Sequence, residues 1–174
     1  DVAKVCLALG MKVLAYSRSM TAEKAAAAGV TMASLDDVLA QSDVVCTATT
    51  AHEPVFADRD IRPGTHINAI GAFTPEMHEI PPETVARARV VVDAVDAVLA
   101  EAGDLIAPIA AGLVPRDHVT TELGQVVAGN AAGRPGDEAV TLFKSVGNAV
   151  QDIIVARQAL TEAERQSRGQ RITL

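Results

Sequence analysis

Three short stretches of this chain combine glycine, hydroxyl or basic residues with the end of an apolar strand pattern. Residues 66–77, HINAIGAFTPEM, begin as a strand and run into a Gly–Pro turn. Gly71, directly after Ile70, has no side chain to keep the backbone away from a bound molecule. Residues 142–152, LFKSVGNAVQD, end a strand and enter a long helical pattern. Ser145, Val146 and Gly147 are expected at the helix start, where backbone N–H groups lack intrahelical partners and suit a polar ligand. Thr47 and Thr49 close a third apolar run, DVVCTAT. Ligands of open α/β sheets sit in the crevice beyond the carboxyl ends of the strands. Thr47, Thr49, Ile70, Gly71, Ser145, Val146 and Gly147 are therefore candidates to line one crevice.

A further candidate is Ser17-Arg18-Ser19, after the strand pattern 11–16. A carboxylate there would accept hydrogen bonds from the ribose hydroxyls of NAD, whereas an arginine between hydroxyls suits a 2′-phosphate. NADP(H) is favoured on that ground, with NAD(H) the alternative. The rival reading of Arg18 is a solvated loop arginine. No GxGxxG occurs in the sequence, although a dinucleotide site needs such a turn for the pyrophosphate. The opening helical pattern reads as the back half of the helix that follows such a turn. The first strand and its glycine-rich loop are thus expected to precede residue 1.

The elements that must position these residues alternate. Helical patterns cover 2–9, 22–29 and 35–41, with Thr21 and Ser34 as N-caps. Strand patterns cover 11–16, 30–32 and 43–48. The alternation continues with a turn or short helix at Asp58, a turn at Pro63-Gly64 and a strand over 66–70. A helix opens at Pro82, and a strand at 90–92 and a helix at 94–102 follow. Further helix is expected over 119–128, strand over 140–143 and a long amphipathic helix over 145–164. The tail from residue 165 is polar. The class is α/β, a Rossmann-type doubly wound parallel sheet that lacks its first strand and Gly-rich loop, with a long C-terminal helix. Residues 1–140 read as a partial dinucleotide-binding domain. Residues 141–174 read as a strand, helix and tail returning toward a substrate domain.

Composition narrows the function classes. Of 174 residues, 49% are hydrophobic and 2% aromatic, as in strands buried between helices. The formal net charge of −7 opposes a nucleic-acid surface, which needs a basic footprint. No apolar run reaches membrane-spanning length. Cys6 and Cys46 sit in apolar runs without metal-ligand spacing and read as small buried hydrophobes of a reduced, cytoplasmic protein. His66 reads as structural or solvent-facing, and His52, His78 and His118 as surface. Glu101 and Asp104 read as a solvated helix end. Lys144 fits either a ligand phosphate or carboxylate, or a salt bridge. The stripe Val146, Ala149, Val150, Ile153, Ile154, Ala156 and Leu160 reads as core or subunit contact.

Two resemblances follow from these runs. Residues 2–43, with ALGMKVLAYSR most telling, resemble the cofactor domain of D-2-hydroxyacid dehydrogenases. Residues 43–164 resemble the ornithine cyclodeaminase/mu-crystallin family through DVVCTATTAHEPVF, RPGTHINAIGAFTPEMHEIP, ARVVVDAVDAVLAEAGDL, ELGQVVAGNAAGR and VTLFKSVGNAVQDIIVARQAL. The second resemblance implies hydride transfer between NAD(P)H and the α-carbon of a small amino or imino acid, as in ketimine and pyrroline-2-carboxylate reductases and alanine dehydrogenases. It also implies a homodimer, and it places THINAIG and SVGNAVQD against the nicotinamide. Cyclodeaminases carry an acid shortly after the turn glycine, where this chain has Phe73, so ornithine cyclisation is not expected. The family's substrate-binding basic residues would lie ahead of residue 1, and this chain alone is expected to turn over poorly or not at all. The alternatives are a D-2-hydroxyacid dehydrogenase and a non-catalytic ligand-binding protein of the mu-crystallin type.

Overall fold

The structure, a computed structural model, describes residues 2–170 and 172. Of the polar tail expected from residue 165, positions 171, 173 and 174 lie outside the described residues. In chain order the elements are α1 (Val2–Ala8), β1 (Leu14–Ala15), α2 (Ala22–Ala28), β2 (Thr31–Met32), α3 (Leu35–Gln41), β3 (Val44–Thr47), β4 (His66–Ala69), α4 (Pro82–Arg87), β5 (Arg89–Val92), α5 (Val95–Glu101), α6 (Gly103–Ala110), α7 (Leu123–Val127), β6 (Thr141–Lys144) and α8 (Ala149–Arg165). Short 3-10 turns stand at Asp58–Asp60 and Arg116–His118.

Local chemistry sets many of these boundaries. The Thr21 hydroxyl accepts the Lys24 N–H (3.2 Å) and the Ser34 hydroxyl that of Asp37 (3.1 Å), so both helices start at a satisfied cap. Gly29 ends α2 in the left-handed region at φ 71°, where a side chain would be strained. Pro82 occupies the first turn of α4, where its missing N–H has no intrahelical partner to lose.

All the strand pairs are parallel. Strands β3, β4, β6 and β5 form a four-stranded sheet in that order, and β1 and β2 form a separate two-stranded sheet. β6 therefore lies inside the main sheet. One sheet face is the core: Val45, Ile67, Ala69, Val90, Val92 and Leu142 cluster with Val85 of α4, Val98 of α5 and Leu105 of α6. Each large aliphatic side chain so buried contributes about 1.5–3 kcal/mol. The opposite face carries Val44, Cys46, His66, Asn68, Val91 and Phe143, exposed or half-buried.

Several expectations are corrected. The strand over 11–16 shortens to Leu14–Ala15, because it has only β2 to pair with. The helix over 119–128 shortens to Leu123–Val127, because Thr121 and Glu122 run extended beside Val92 instead. An unexpected helix, α6, contains Pro108. Its Gly103 packs so closely on the carbonyls of Pro75 and Met77 that no side chain would fit. The helix expected from Ser145 starts at Ala149, because Gly147 turns at φ 92° and Asn148 supplies the cap. The apolar residues of α8, including Val150, Ile153, Ile154 and Leu160, are exposed rather than core. Cys46 is exposed and Cys6 half-buried, and both are free thiols. The 43–48 strand is buried on one face only, since the core covers a single face of the main sheet.

Candidate functional site at the strand ends

Register brings the candidate residues to one edge. Thr47 lies opposite Ala69, and Lys144 lies between Ala69 and Val92. The strands thus end level, and the next residues of each form a rim: Thr49 after β3, Ile70 and Gly71 after β4, Asp93 after β5, and Ser145, Val146 and Gly147 after β6. The rim is stitched by backbone bonds from Ile70 N–H to Thr47 O (3.0 Å), Ser145 N–H to Ala69 O (3.3 Å) and Asp93 N–H to Lys144 O (3.3 Å). Ile70 and Phe73 are half exposed on it.

Beneath the rim is a knot of buried charges. Glu79 is 0% exposed. Its Oε1 accepts the Thr49 N–H (2.6 Å). Its Oε2 accepts the Thr47 hydroxyl (3.0 Å) and the N–H groups of Gly71 (2.8 Å) and Ala72 (3.1 Å). Asp104, 1% exposed, accepts the N–H groups of Glu79 (2.6 Å) and Ile80 (3.0 Å) on Oδ1. Its Oδ2 is 3.0 Å from Lys144 Nζ, which also donates to Ala72 O (2.6 Å). The reading of Asp104 changes, and of the two readings of Lys144 the salt bridge is the one found. Asp104 is not solvated, and Lys144 is fully enclosed, so its ammonium is committed to Asp104 and Ala72 and cannot reach a ligand. Glu79 was legible only as a lone acid in the apolar, proline-bounded run MHEIPP.

The Ser145 hydroxyl donates to Asp93 Oδ2 (2.6 Å) and accepts the Gly147 N–H (3.1 Å). The N–H groups expected to be open at Ser145 and Gly147 are thus used within the protein. What the rim offers is shape, the exposed Ile70 and open space at Gly147, whereas the missing side chain of Gly71 makes room for the Thr49 backbone and Glu79 rather than for a ligand.

The fourth candidate stands apart, on the two-stranded sheet. The Ser17 and Ser19 hydroxyls are 3.2 Å apart, and Lys24 Nζ donates to Ser19 O (3.1 Å). Arg18 is exposed. Beside it a shallow hollow of about 460 Å³ is lined by Tyr16, Ser17, Met32, Ala33, Ser34 and Asp37. Among the described residues no hydrogen-bonded strand joins this edge to the rim.

The remaining titratable candidates are structural. His66 Nδ1 shares a hydrogen bond with the Thr141 hydroxyl (2.7 Å), and its Nε2 is 3.3 Å from Asn68 Oδ1. Burial and the Arg134 charge push the His66 imidazole below its ordinary range, against an opposing hydrogen bond to Asn68. His118 is not a surface residue: it is half-buried, with Nε2 2.9 Å from Val85 O. Partial desolvation raises the Cys46 thiol, opposed by Asn68 and reinforced by Cys6, which disfavours a reactive thiolate. No cluster of metal-ligating side chains occurs among the described residues. Nor is any described helix long and apolar enough to cross a membrane.

A nicotinamide dinucleotide fits these features in chemical character. The rim would offer the exposed side chain of Ile70 and the open space at Gly147 to a flat ring, and the Ser17–Ser19 edge would offer hydroxyls, a cation and a hollow to a ribose.

Comparison with known proteins agrees. The sequence profile of the ornithine cyclodeaminase/mu-crystallin family matches residues 12–167. A Δ1-pyrroline-2-carboxylate reductase of Bacillus cereus is 40% identical over 174 residues, 99% of this chain and 53% of the relative. The Thermococcus litoralis Δ1-pyrroline-2-carboxylate reductase, solved with NADH and L-proline, superposes with a TM-score of 0.78 at 37% identity, covering 86% of this chain and 47% of that one. An archaeal alanine dehydrogenase dimer with bound NAD gives 0.77 at 30% identity, covering 87% and 48%. The chain thus spans about half the length of the curated relatives it matches. The profile match begins at residue 12, so this one family accounts for most of residues 2–43, where the sequence alone suggests a D-2-hydroxyacid dehydrogenase.

Proposed function

Because the chain belongs to the ornithine cyclodeaminase/mu-crystallin family, we propose that it forms the cofactor-binding part of an NAD(P)H-dependent oxidoreductase acting on the C–N bond of a small amino or imino acid. The observation that carries this reading is the level rim of strand ends, with Thr49, Ile70, Gly71, Val146 and Gly147 side by side. When bound, the nicotinamide supplies or accepts the hydride at the substrate's α-carbon. The residues of this chain position it. Gly147 leaves open space beside the ring, Gly71 lets the β4 turn close on the Thr49 backbone, Ile70 gives the ring an apolar contact, and the stitched rim cannot spread. Phe73 occupies the place where an acid would serve cyclodeamination, so this wall excludes water from the ring without exchanging protons. Such positioning is a large part of what a reductase needs.

Arg18, exposed between two hydroxyls, favours NADP(H) by offering charge-assisted bonds to a 2′-phosphate. NAD(H), carried by both solved relatives, is the alternative. The exposed apolar residues of α8 support burial against the substrate-binding part or within a homodimer, the state of the archaeal alanine dehydrogenase. Two free cysteines fit a cytoplasmic setting.

Calorimetric titration with NADPH and with NADH, beside an assay of cyclic-imine reduction, tests the reading. Binding of either dinucleotide supports it, and tighter binding of NADH overturns the role given to Arg18. Absence of binding to the full-length protein at millimolar dinucleotide overturns the whole. Retention of a dinucleotide by a full-length protein that turns over no imine favours the non-catalytic reading.

A further inference from the structure

We propose that Glu79 is the positioning residue of the rim. Its buried carboxylate sets the spacing between the β3 and β4 ends and thereby the shape presented to the ring. What the rim holds rests on the reductase reading, while the spacing itself does not. Glu79 is fully enclosed, so it touches no ligand and acts only through the residues it holds. Its oxygens gather the Thr49 N–H on one side and the Thr47 hydroxyl with the Gly71 and Ala72 N–H groups on the other, at 2.6–3.1 Å. These donors come from two different strand ends, so one carboxylate ties the loops together.

The grip is specific to a carboxylate. Every group facing it is a donor, and a carboxylate is an acceptor on both oxygens. A glutamine would turn its NH₂ toward either the Thr49 N–H or the Gly71 side, opposing donor to donor. The loops cannot settle into a closer alternative. Gly71 already lies so near the Thr49 backbone and Glu79 that a methyl group there would overlap both. Nor can the turn slide outward, because Lys144 Nζ holds Ala72 O at 2.6 Å and is itself anchored by Asp104. Glu79 is in turn aligned by its own backbone, through its N–H to Asp104 Oδ1 (2.6 Å) and its C=O from the Val55 N–H (2.9 Å). Ile70 and Phe73, which flank the held pair Gly71-Ala72, are left pointing outward with no freedom to reorient the turn.

The test compares amide hydrogen exchange and NADH and NADPH affinity in the wild-type chain, Glu79→Gln and Glu79→Asp. In the wild type the Thr49, Gly71 and Ala72 amides are expected to be protected like strand amides. In Glu79→Gln at least one side of the grip fails. Thr49, or Gly71 with Ala72, is expected to exchange about 10–100-fold faster, while Ile67 and Leu142 stay within about twofold and dinucleotide affinity drops about tenfold. A residue that merely stabilised the fold would speed all of these amides by a common factor. That result, or unchanged exchange at all the gripped amides, overturns the proposal, as does altered local exchange with unaltered dinucleotide affinity. Should Glu79→Gln fail to fold, Glu79→Asp keeps both acceptors on a shorter arm, and the same local-against-core contrast decides. If the full-length wild type binds no dinucleotide, the reductase reading falls, while the exchange data still decide whether Glu79 sets the spacing.

Discussion

The strand-end rim and the Ser17–Ser19 edge are built by opposite means. At the rim, the Gly71 turn is held from below by Glu79 and Lys144, both fully enclosed, and Lys144 is paired with buried Asp104. At the edge, Arg18 and its neighbouring hydroxyls are exposed, and the bonds between them are local. Buried charge is costly to displace once its partners are in place, whereas exposed charge adds little to stability and is free to meet a ligand. The contrast divides labour. In the proposed reading the rim supplies shape and the edge supplies specificity.

The largest expected effect breaks the rim. Lys144→Met leaves Asp104 buried without its counter-charge and Ala72 O without its donor. Loss of about 3–5 kcal/mol of unfolding free energy is expected, read from the denaturant midpoint. A loss below about 1 kcal/mol would mean that the pair does not hold the rim. Gly71→Ala follows, because the new methyl overlaps the Thr49 backbone. Overpacking of this kind costs about 1–3 kcal/mol, and a thermal melt indistinguishable from the wild type would contradict the close approach.

At the edge the signs reverse. Arg18→Ala is expected to change unfolding free energy by no more than about 0.5 kcal/mol, yet to weaken NADPH binding about tenfold with little effect on NADH. Equal weakening of both would remove Arg18 from the specificity account.

The smallest effects are pH-linked and lie at neither region. Asp58 ties the Asp58–Asp60 turn to α4, accepting from the Thr84 hydroxyl (2.7 Å) and Arg87 Nε (2.7 Å). Burial alone would raise its carboxyl, but the Arg87 and Thr84 hydrogen bonds and the Arg87 charge together hold it below the ordinary 3.8. A depressed acid stabilises the fold above its unfolded value, and that share is lost as pH falls through the folded value. Asp58→Asn should cost about 1 kcal/mol at neutral pH and flatten the stability profile below about pH 4. His66 acts higher on the scale. With its folded value below the ordinary 6.5, stability is complete above 6.5 and declines as pH falls and the unfolded chain takes up the proton. His66→Gln should remove that slope in denaturation curves measured between about pH 5 and 7.

How far the sequence foretold this differs between the same two regions. The strand–helix alternation, the caps at Thr21 and Ser34 and the opening of α4 at Pro82 follow from contacts within a turn, and the sequence shows them. The grouping of candidates at the strand ends was expected from the sequence, whereas the register that levels the ends of β3, β4 and β6 is set by tertiary pairing. The knot beneath it did not. Glu79, Asp104 and Lys144 meet through tertiary packing alone, and Asp104 looked like a polar helix end because α6 was not foreseen. Gly103 opens that helix and is required by its fit on the Pro75 and Met77 carbonyls, a contact made only through tertiary packing. The start of α8 was misplaced for a related reason, since Gly147 adopts a left-handed turn that helical periodicity cannot reveal.

The central proposal is that the rim forms the wall for the nicotinamide. Its most direct test is nuclear magnetic resonance of the isotope-labelled protein titrated with dinucleotide, which detects binding even in the millimolar range. Shifts are expected to concentrate at the amides of Thr49, Ile70, Gly71, Val146 and Gly147, with a second set at Ser17–Ser19 that is stronger for NADPH than for NADH. Shifts confined to the Ser17–Ser19 edge, or no shifts at the rim at saturating dinucleotide, would contradict it.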